Sequence, residues 1–275
     1  MKSPSTRIAL QTAMVAARAA GRLMRANLNV VNKRVNEATQ HDIKLELDVR
    51  CQKLIERTLR KQFSGVAILG EEGVVGNPDS EYRWVVDPID GTVNFTYGIP
   101  HACVSIALDR RVKGSVSSKR RGKNPSGYET LVGVVYDPFS DELWTAIRGQ
   151  PARLNGTIIR VSKRAKLEES ILSLGFAKQK STLNKMLPVF NTLVHRVRKI
   201  RIMGAAALAM VYVASGRLEA YLEYGVRWWD VAAGGLILEC AGGEFLHESV
   251  PNAAPHSYRI LANNRLVKRH LKKYF

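Results

Sequence analysis

The chain has 275 residues, 45% of them hydrophobic and 24% charged, enough for a full core in one large domain or two joined ones. No apolar run reaches the roughly 18 residues of a bilayer-crossing helix, and the scattered Cys51, Cys103 and Cys240 lack paired metal-ligand spacing, so they read as reduced thiols of a cytoplasmic protein. The formal net charge of +18 makes polyanions the expected companions: nucleic acid, acidic protein faces or anionic lipid.

In chain order, residues 5–27 predict a helix with Ser5 or Thr6 at its start. Arg7, Arg18, Arg22 and Arg25 lie opposite Ala9, Ala13, Ala16, Ala20 and Met24. That acid-poor amphipathic pattern imitates a transit peptide, but its lack of serine favours a first helix packing its alanine face on a core. Residues 28–46 read as irregular. Leu47, Cys51, Leu54, Ile55 and Leu59 recur at helical intervals, and Val66–Leu69 is a short buried strand running into Gly70-Glu71-Glu72-Gly73. A strand through Val85 and Val86 and another over Cys103–Leu108 follow. Residues 109–128 hold Arg110, Arg111, Lys113, Lys119, Arg120, Arg121 and Lys123 among Gly, Ser, Asn and Pro, which predicts an exposed basic loop between strands. Strands are expected over Leu131–Tyr136 and Glu142–Ile147, and Asn155-Gly156 signals a hairpin turn. Beyond about 168, strands at Ser170–Leu174, Leu218–Glu223 and Tyr258–Ala262 alternate with helices at 182–197, Ala205–Ser215, Asp230–Cys240 and 264–274. The mixture predicts layered α+β structure, one domain over 1–275 with subdomains of about 1–167 and 168–275.

The chemistry concentrates in Trp84-Val-Val-Asp87-Pro-Ile-Asp90-Gly-Thr92. Two carboxylates three residues apart around a proline-stiffened turn can converge at a strand end. Like charges in a partly dry site repel, and a hard divalent cation with oxygen ligands, Mg²⁺ above all, relieves them. The N–H groups that follow suit a phosphate. Asp48, Glu71 and Asp230 also stand at strand ends or helix starts. Asp48 and Asp230 taken singly read equally well as helix N-caps. Together with Glu71 and the Asp87/Asp90 pair they supply oxygens for about two or three Mg²⁺ ions, the apparatus for attack by metal-bound water. No nucleophilic serine elbow of the G-x-S-x-G type occurs.

Gly70-Glu71-Glu72, the run Trp84 to Phe95, and Trp229-Asp230-Val-Ala-Ala-Gly234 with Ala241-Gly242-Gly243 resemble the inositol monophosphatase family, in its bacterial SuhB-like branch, from about residue 8 to 273. The resemblance implies an αβαβα sandwich, a homodimer, and Mg²⁺-dependent, Li⁺-sensitive hydrolysis of polyol or sugar phosphates. By position it implies that Glu71, Asp87, the Ile89 carbonyl, Asp90 and Asp230 hold metal. Asp48 and Thr92, with Glu71, would activate water. Gly91 and Thr92 would bind phosphate through their amides, and Gly204, Ala205, Ala206 and Glu223 would meet substrate hydroxyls. Several hydrogen-bonding side chains of the family pattern are replaced: Lys44 and Leu45 interrupt the run from Asp42 to Asp48, Ala38 stands where a lysine is common, and Val93 and Ala205 stand for hydroxyl residues. A lost bond to a charged group costs about 1.5–3 kcal/mol, so turnover is expected to be weakened or altered.

Inositol 1-phosphate is the leading expected substrate; a nucleotide 3′-phosphate, fructose bisphosphate or histidinol phosphate stays open. A different class is a regulatory protein contacting RNA polymerase, a Nus factor or RNA, as SuhB-like proteins do. The basic loop and Arg265, Lys268, Arg269, Lys272 and Lys273 suit it. On that reading, neutralising Arg120, Arg121 and Lys123 weakens binding to RNA or RNA polymerase, with a steep salt dependence in titrations; salt-insensitive binding would count against it.

Overall fold

The computed structural model describes residues 4–30, 35–38, 43–77, 80–112, 127–176, 180–251, 253 and 256–275. The chain opens with α1 (Thr6–Asn27), a hairpin of β1 (Val35–Ala38) and β2 (Ile43–Leu45), and α2 (Glu46–Gln62). Then come β3 (Ala67–Gly70), β4 (Gly73–Val75), β5 (Tyr82–Asp90), the short helix α3 (Thr92–Thr96), β6 (Cys103–Arg111), β7 (Tyr128–Asp137), β8 (Glu142–Ile147), β9 (Arg153–Leu154) and β10 (Thr157–Ile158). The second half runs β11 (Ile171–Leu174), α4 (Lys180–Leu193), β12 (Lys199–Arg201), α5 (Ala206–Ala214), β13 (Ala220–Arg227), α6 (Trp228–Cys240), β14 (Glu244–Ser249), β15 (Ser257–Asn263) and α7 (Lys268–Leu271), closing on a 3₁₀ turn.

Among the described residues, one sheet has eight strands in the order β10-β9-β8-β7-β6-β5-β3-β4 and another has five in the order β12-β11-β13-β15-β14. Three apolar clusters give the layering. Ala9, Ala13, Ala16, Ala20 and Met24 of α1 and Cys51, Ile55 and Leu59 of α2 pack on the outer face of the large sheet. Helices α5 and α6 fill the space between the sheets, touching Val85, Val135 and Trp144 on one side and Tyr221, Tyr258 and Ile260 on the other. Met186, Val189 and Leu193 of α4 and Leu271 of α7 cover the far face of the small sheet. This is the αβαβα sandwich, and α1 is an integral layer of it.

Several expectations shift. Residues 28–46 are not irregular throughout, since β1 and β2 pair there. The basic loop is shorter than 109–128, because cross-strand pairing carries β6 to Arg111 and starts β7 at Tyr128. Asp109 belongs to the core, bound by Arg83, Thr130 and the Trp228 indole. Lys113, Lys119, Arg120, Arg121 and Lys123 lie outside the described residues. The expected helix at 264–274 shrinks to α7 and its 3₁₀ turn, because Asn264 caps the chain there by accepting the Leu266 and Val267 amides. The hairpin at Asn155-Gly156 forms, with φ of 48° and 84°.

The central helices sit close to the large sheet because small residues meet there. A Cβ on Gly133 of β7 would lie 2.8 Å from the Ala233 carbonyl oxygen of α6. Backbone cannot yield as a side-chain tip does. Gly133→Ala is expected to destabilise by about 1–3 kcal/mol through overpacking, read as a lower midpoint in thermal unfolding.

Candidate active site

Strand β5 is buried along its whole length and delivers both carboxylates of the sequence motif. Its pairing with β6 shifts register between Asp87 and Asp90, as a proline inside a strand requires. Asp87 Oδ1 accepts the Ile89 amide at 3.0 Å, closing a tight turn over Pro88. Gly91 then adopts φ of 95°, and a Cβ there would lie 2.9 Å from the His101 carbonyl, so both conformation and space demand glycine. Helix α3 starts at Thr92, whose hydroxyl donates to the Ile89 carbonyl at 2.9 Å. That carbonyl keeps a second lone pair for another partner.

Asp90 reaches across the molecule. Its Oδ1 accepts the Ala206 amide at 3.1 Å and its Oδ2 the Ala207 amide at 2.7 Å. Ala205, at the N-cap of α5, has no side chain able to satisfy those amides, and Asp90 does it instead. The expected Ala206 contact with substrate therefore does not use its amide. Asn94 adds a second clamp that sequence reasoning missed, donating to the His101 and Met203 carbonyls at 2.9 and 2.8 Å. Its place in the run after Asp90 was visible, but nothing in one sequence connects residue 94 with 203.

Asp230 stands in the first turn of α6, not at its N-cap, and accepts the Arg227 amide at 2.7 Å. Asp48 does the same in α2, accepting the Leu45 amide at 2.7 Å. The N-cap alternative for the two is thus set aside: both are first-turn carboxylates that reach back to the residue before the helix. Glu71 follows β3 and hydrogen-bonds the Asp87 carboxyl.

A cleft of about 310 Å³ collects Glu71, Asp87, Ile89, Asp90, Gly91, Thr92, Gly204, Ala205, Ala206, Glu223 and Asp230. Asp48 stands outside that lining. Gln52, one turn further along α2, fastens this helix to the Glu71–Glu72 turn by accepting the Glu72 amide at 3.0 Å. Leu45, one of the departures from the family pattern, is buried in the core, and Val93 is exposed at the cleft edge.

The electrostatics are those of crowded acids. Burial, reinforced by Glu71, Asp90 and Asp230, pushes the Asp87 carboxyl well above the usual range. Burial, then Glu71 and Asp90, does the same to Asp230. Burial pushes Asp90 up to about 6, although the Ala207 and Ala206 amides pull it down. Glu223 is pushed by burial up to about 7, against the hydrogen bond from Tyr221. Among the described residues no three His, Cys, Asp or Glu side chains form a ready-made metal cage. Among the donors that share the cleft, Glu71, Asp87, Asp90 and Asp230 with the Ile89 carbonyl form an all-oxygen set suited to hard divalent cations. A cation would offset the burial that raises these carboxyls and the like-charge repulsion that adds to it at Asp87 and Asp230.

The sequence model of the inositol monophosphatase family matches residues 5–117 and 126–274. This chain belongs to the inositol monophosphatase family. The unmatched stretch falls inside the basic segment. Among relatives, the Nus factor SuhB of Pasteurella multocida is 38% identical, covering 96% of this chain and 94% of that protein. Inositol monophosphatase 1 of Solanum lycopersicum is 37% identical, covering 97% and 92%. The crystal structure of the extragenic suppressor protein SuhB from Bartonella henselae superposes with a TM-score of 0.84 at 31% identity, covering 97% of this chain and 98% of that one. The inositol monophosphatase structure from Anabaena gives 0.79 at 32%, covering 98% and 95%. Membership carries phosphatase chemistry and a general dependence on metal.

Protons and cations should compete for the cleft. The folded carboxylates, with Asp90 at about 6 and Glu223 at about 7, hold protons that the unfolded chain releases from roughly pH 4 upward. The stability they confer is therefore present in acid and lost as pH rises through about 7. The rise in thermal midpoint on adding Mg²⁺ is expected to grow from pH 5 to pH 8, and an equal rise at both would contradict this.

Proposed function

We propose that this protein is a Mg²⁺-dependent phosphatase of polyol monophosphates, with inositol 1-phosphate as its leading substrate. The observation that carries it is the sharing of one cleft by Glu71, Asp87, Asp90 and Asp230, below the backbone turn of Gly91 and Thr92. Glu71, Asp87, the Ile89 carbonyl, Asp90 and Asp230 are the proposed holders of about two or three Mg²⁺ ions. When bound, such ions polarise the phosphoryl oxygen and make a coordinated water acidic enough to ionise near neutral pH.

The chain's own groups do the rest. The Gly91 and Thr92 amides orient the phosphate. The Thr92 hydroxyl, its proton committed to the Ile89 carbonyl, offers an oxygen that orients the attacking water. Asp48 is its proposed partner in taking the water's proton, acting with Glu71 from the start of α2. Gly204, Ala205 and Glu223 line the cleft and are the proposed contacts for substrate hydroxyls. Among the described residues of the lining there is no lysine, arginine or histidine. That favours one phosphate over a bisphosphate, whose second group would lack a cationic partner.

The net charge of +18 favours a second role beside catalysis: contact with RNA polymerase, a Nus factor or RNA, in keeping with relatives named Nus factor SuhB. Lys268 is paired with Glu244 at 2.8 Å, so at the C-terminus this role leans on the exposed Arg265, Arg269, Lys272 and Lys273. A cytoplasmic homodimer is the proposed working form.

Asp87→Asn keeps the size of the side chain and removes its charge. Phosphate release from inositol 1-phosphate should fall by roughly two orders of magnitude, with the thermal midpoint retained, while Li⁺ inhibits the parent protein. Unchanged release would refute the site.

A further inference from the structure

Strand alternation puts Tyr221 and Glu223 of β13 on one face, toward the cleft, while Leu222 faces the outer core. The Tyr221 hydroxyl donates to Glu223 Oε2. Tyr221 is itself buried among the central helices, so its hydroxyl is a fixed point.

The other wall comes from the neighbouring parallel strand. Leu174 of β11 pairs with Leu222, and the Gly175 amide donates to the Leu222 carbonyl at 3.0 Å. This brings Gly175 against the Glu223 side chain. A Cβ on Gly175 would overlap that carboxyl group, and its three nearest atoms would all belong to Glu223. Gly175 is not among the glycines with positive φ. Glycine is needed here for space, not for backbone conformation. Since the obstructing atoms are the tip of a flexible side chain, a methyl group at 175 displaces Glu223 rather than the fold.

We propose that Tyr221 and Gly175 are positioning residues that hold Glu223 in the orientation where one carboxylate oxygen is bound by tyrosine and the other is presented to a hydroxyl of the substrate. The proposal rests on the reading of the cleft as a polyol monophosphate site. It makes selection of a hydroxylated substrate a property of three residues acting as a unit, distant from the Asp87–Thr92 turn in sequence. A hydroxyl donating to an immobilised carboxylate is recognised strongly, whereas a mobile carboxylate must first be ordered.

The test compares inositol 1-phosphate with phenyl phosphate, which carries no hydroxyl beyond its phosphate, using the full-length protein with Mg²⁺. Tyr221→Phe and Gly175→Ala should each raise KM for inositol 1-phosphate by roughly tenfold and leave kcat and KM for phenyl phosphate within about twofold. In a Glu223→Gln background, adding Tyr221→Phe should change little, as residues acting through one another are non-additive. Equal losses on both substrates, no change on either, or full additivity with Glu223→Gln would overturn the proposal. Should Tyr221→Phe fail to fold, Gly175→Ala decides alone by the same criterion. A parent protein that hydrolyses phenyl phosphate but not inositol 1-phosphate would sink the polyol reading and this proposal with it, whereas an active parent with unselective variants would sink this proposal only.

Discussion

Asp90 ends β5 and accepts the amides of Ala206 and Ala207 at the start of α5. One side chain thereby joins the large sheet to the central helix layer and fixes where α5 begins. A helix start buried without a partner for its first amides is unfavourable, so this contact is as much a condition of folding as of chemistry. It also places Gly204 and Ala205 opposite Gly91, since the Asn94 side chain ties the Met203 carbonyl to the same turn. The two walls of the cleft come from opposite halves of the chain, and these polar bonds hold them face to face.

The same carboxylate belongs to a crowd that stability alone would not select. Burying several acids around one cavity costs free energy at neutral pH, and burial is the leading cause of the raised carboxyls of Asp87, Asp90 and Asp230. Elsewhere the protein treats buried charge conventionally. Asp109 is wrapped by Arg83, Thr130 and Trp228, and Glu219 receives Arg164 and the Ile171 amide. The contrast marks the cleft as a functional site, since strongly perturbed carboxyls gather where chemistry is done rather than where stability alone is served. In a chain whose net charge is +18, this cluster of acids runs against the overall balance.

Much of the architecture was legible in residues. The alanine stripe of α1 and the β-branched core of β5 are strong periodic signals, and both appear as read. Elements that hang on partners were not. β12 and β4 are three residues each and exist because a neighbour supplies the ladder. β14 begins beside the glycines after α6 and carries charged residues that masked its pattern. In the site, Glu71, Asp87, Asp90 and Asp230 could be named from local motif and family resemblance, whereas their partners could not. That Asp90 binds residues 206 and 207, or that Glu223 rests against Gly175, follows from topology and is invisible to any local window.

Glycines let the helices of the middle layer approach their neighbours closely. Met210 of α5 crowds the position of a Cβ on Gly234, and the Phe245 ring crowds that on Gly235. The Gly234 contact draws α5 against α6, while Gly133 beside Ala233 and Gly235 beside Phe245 draw α6 close to both sheets, so the layer is a thin spacer between them. The spacer's thickness determines how far β5 stands from β11 and β13, and hence the width of the gap where a guest molecule would lie. Relatives could widen or narrow their tolerance for bulky guests through single carbon atoms added to this seam, without altering any group that touches the guest.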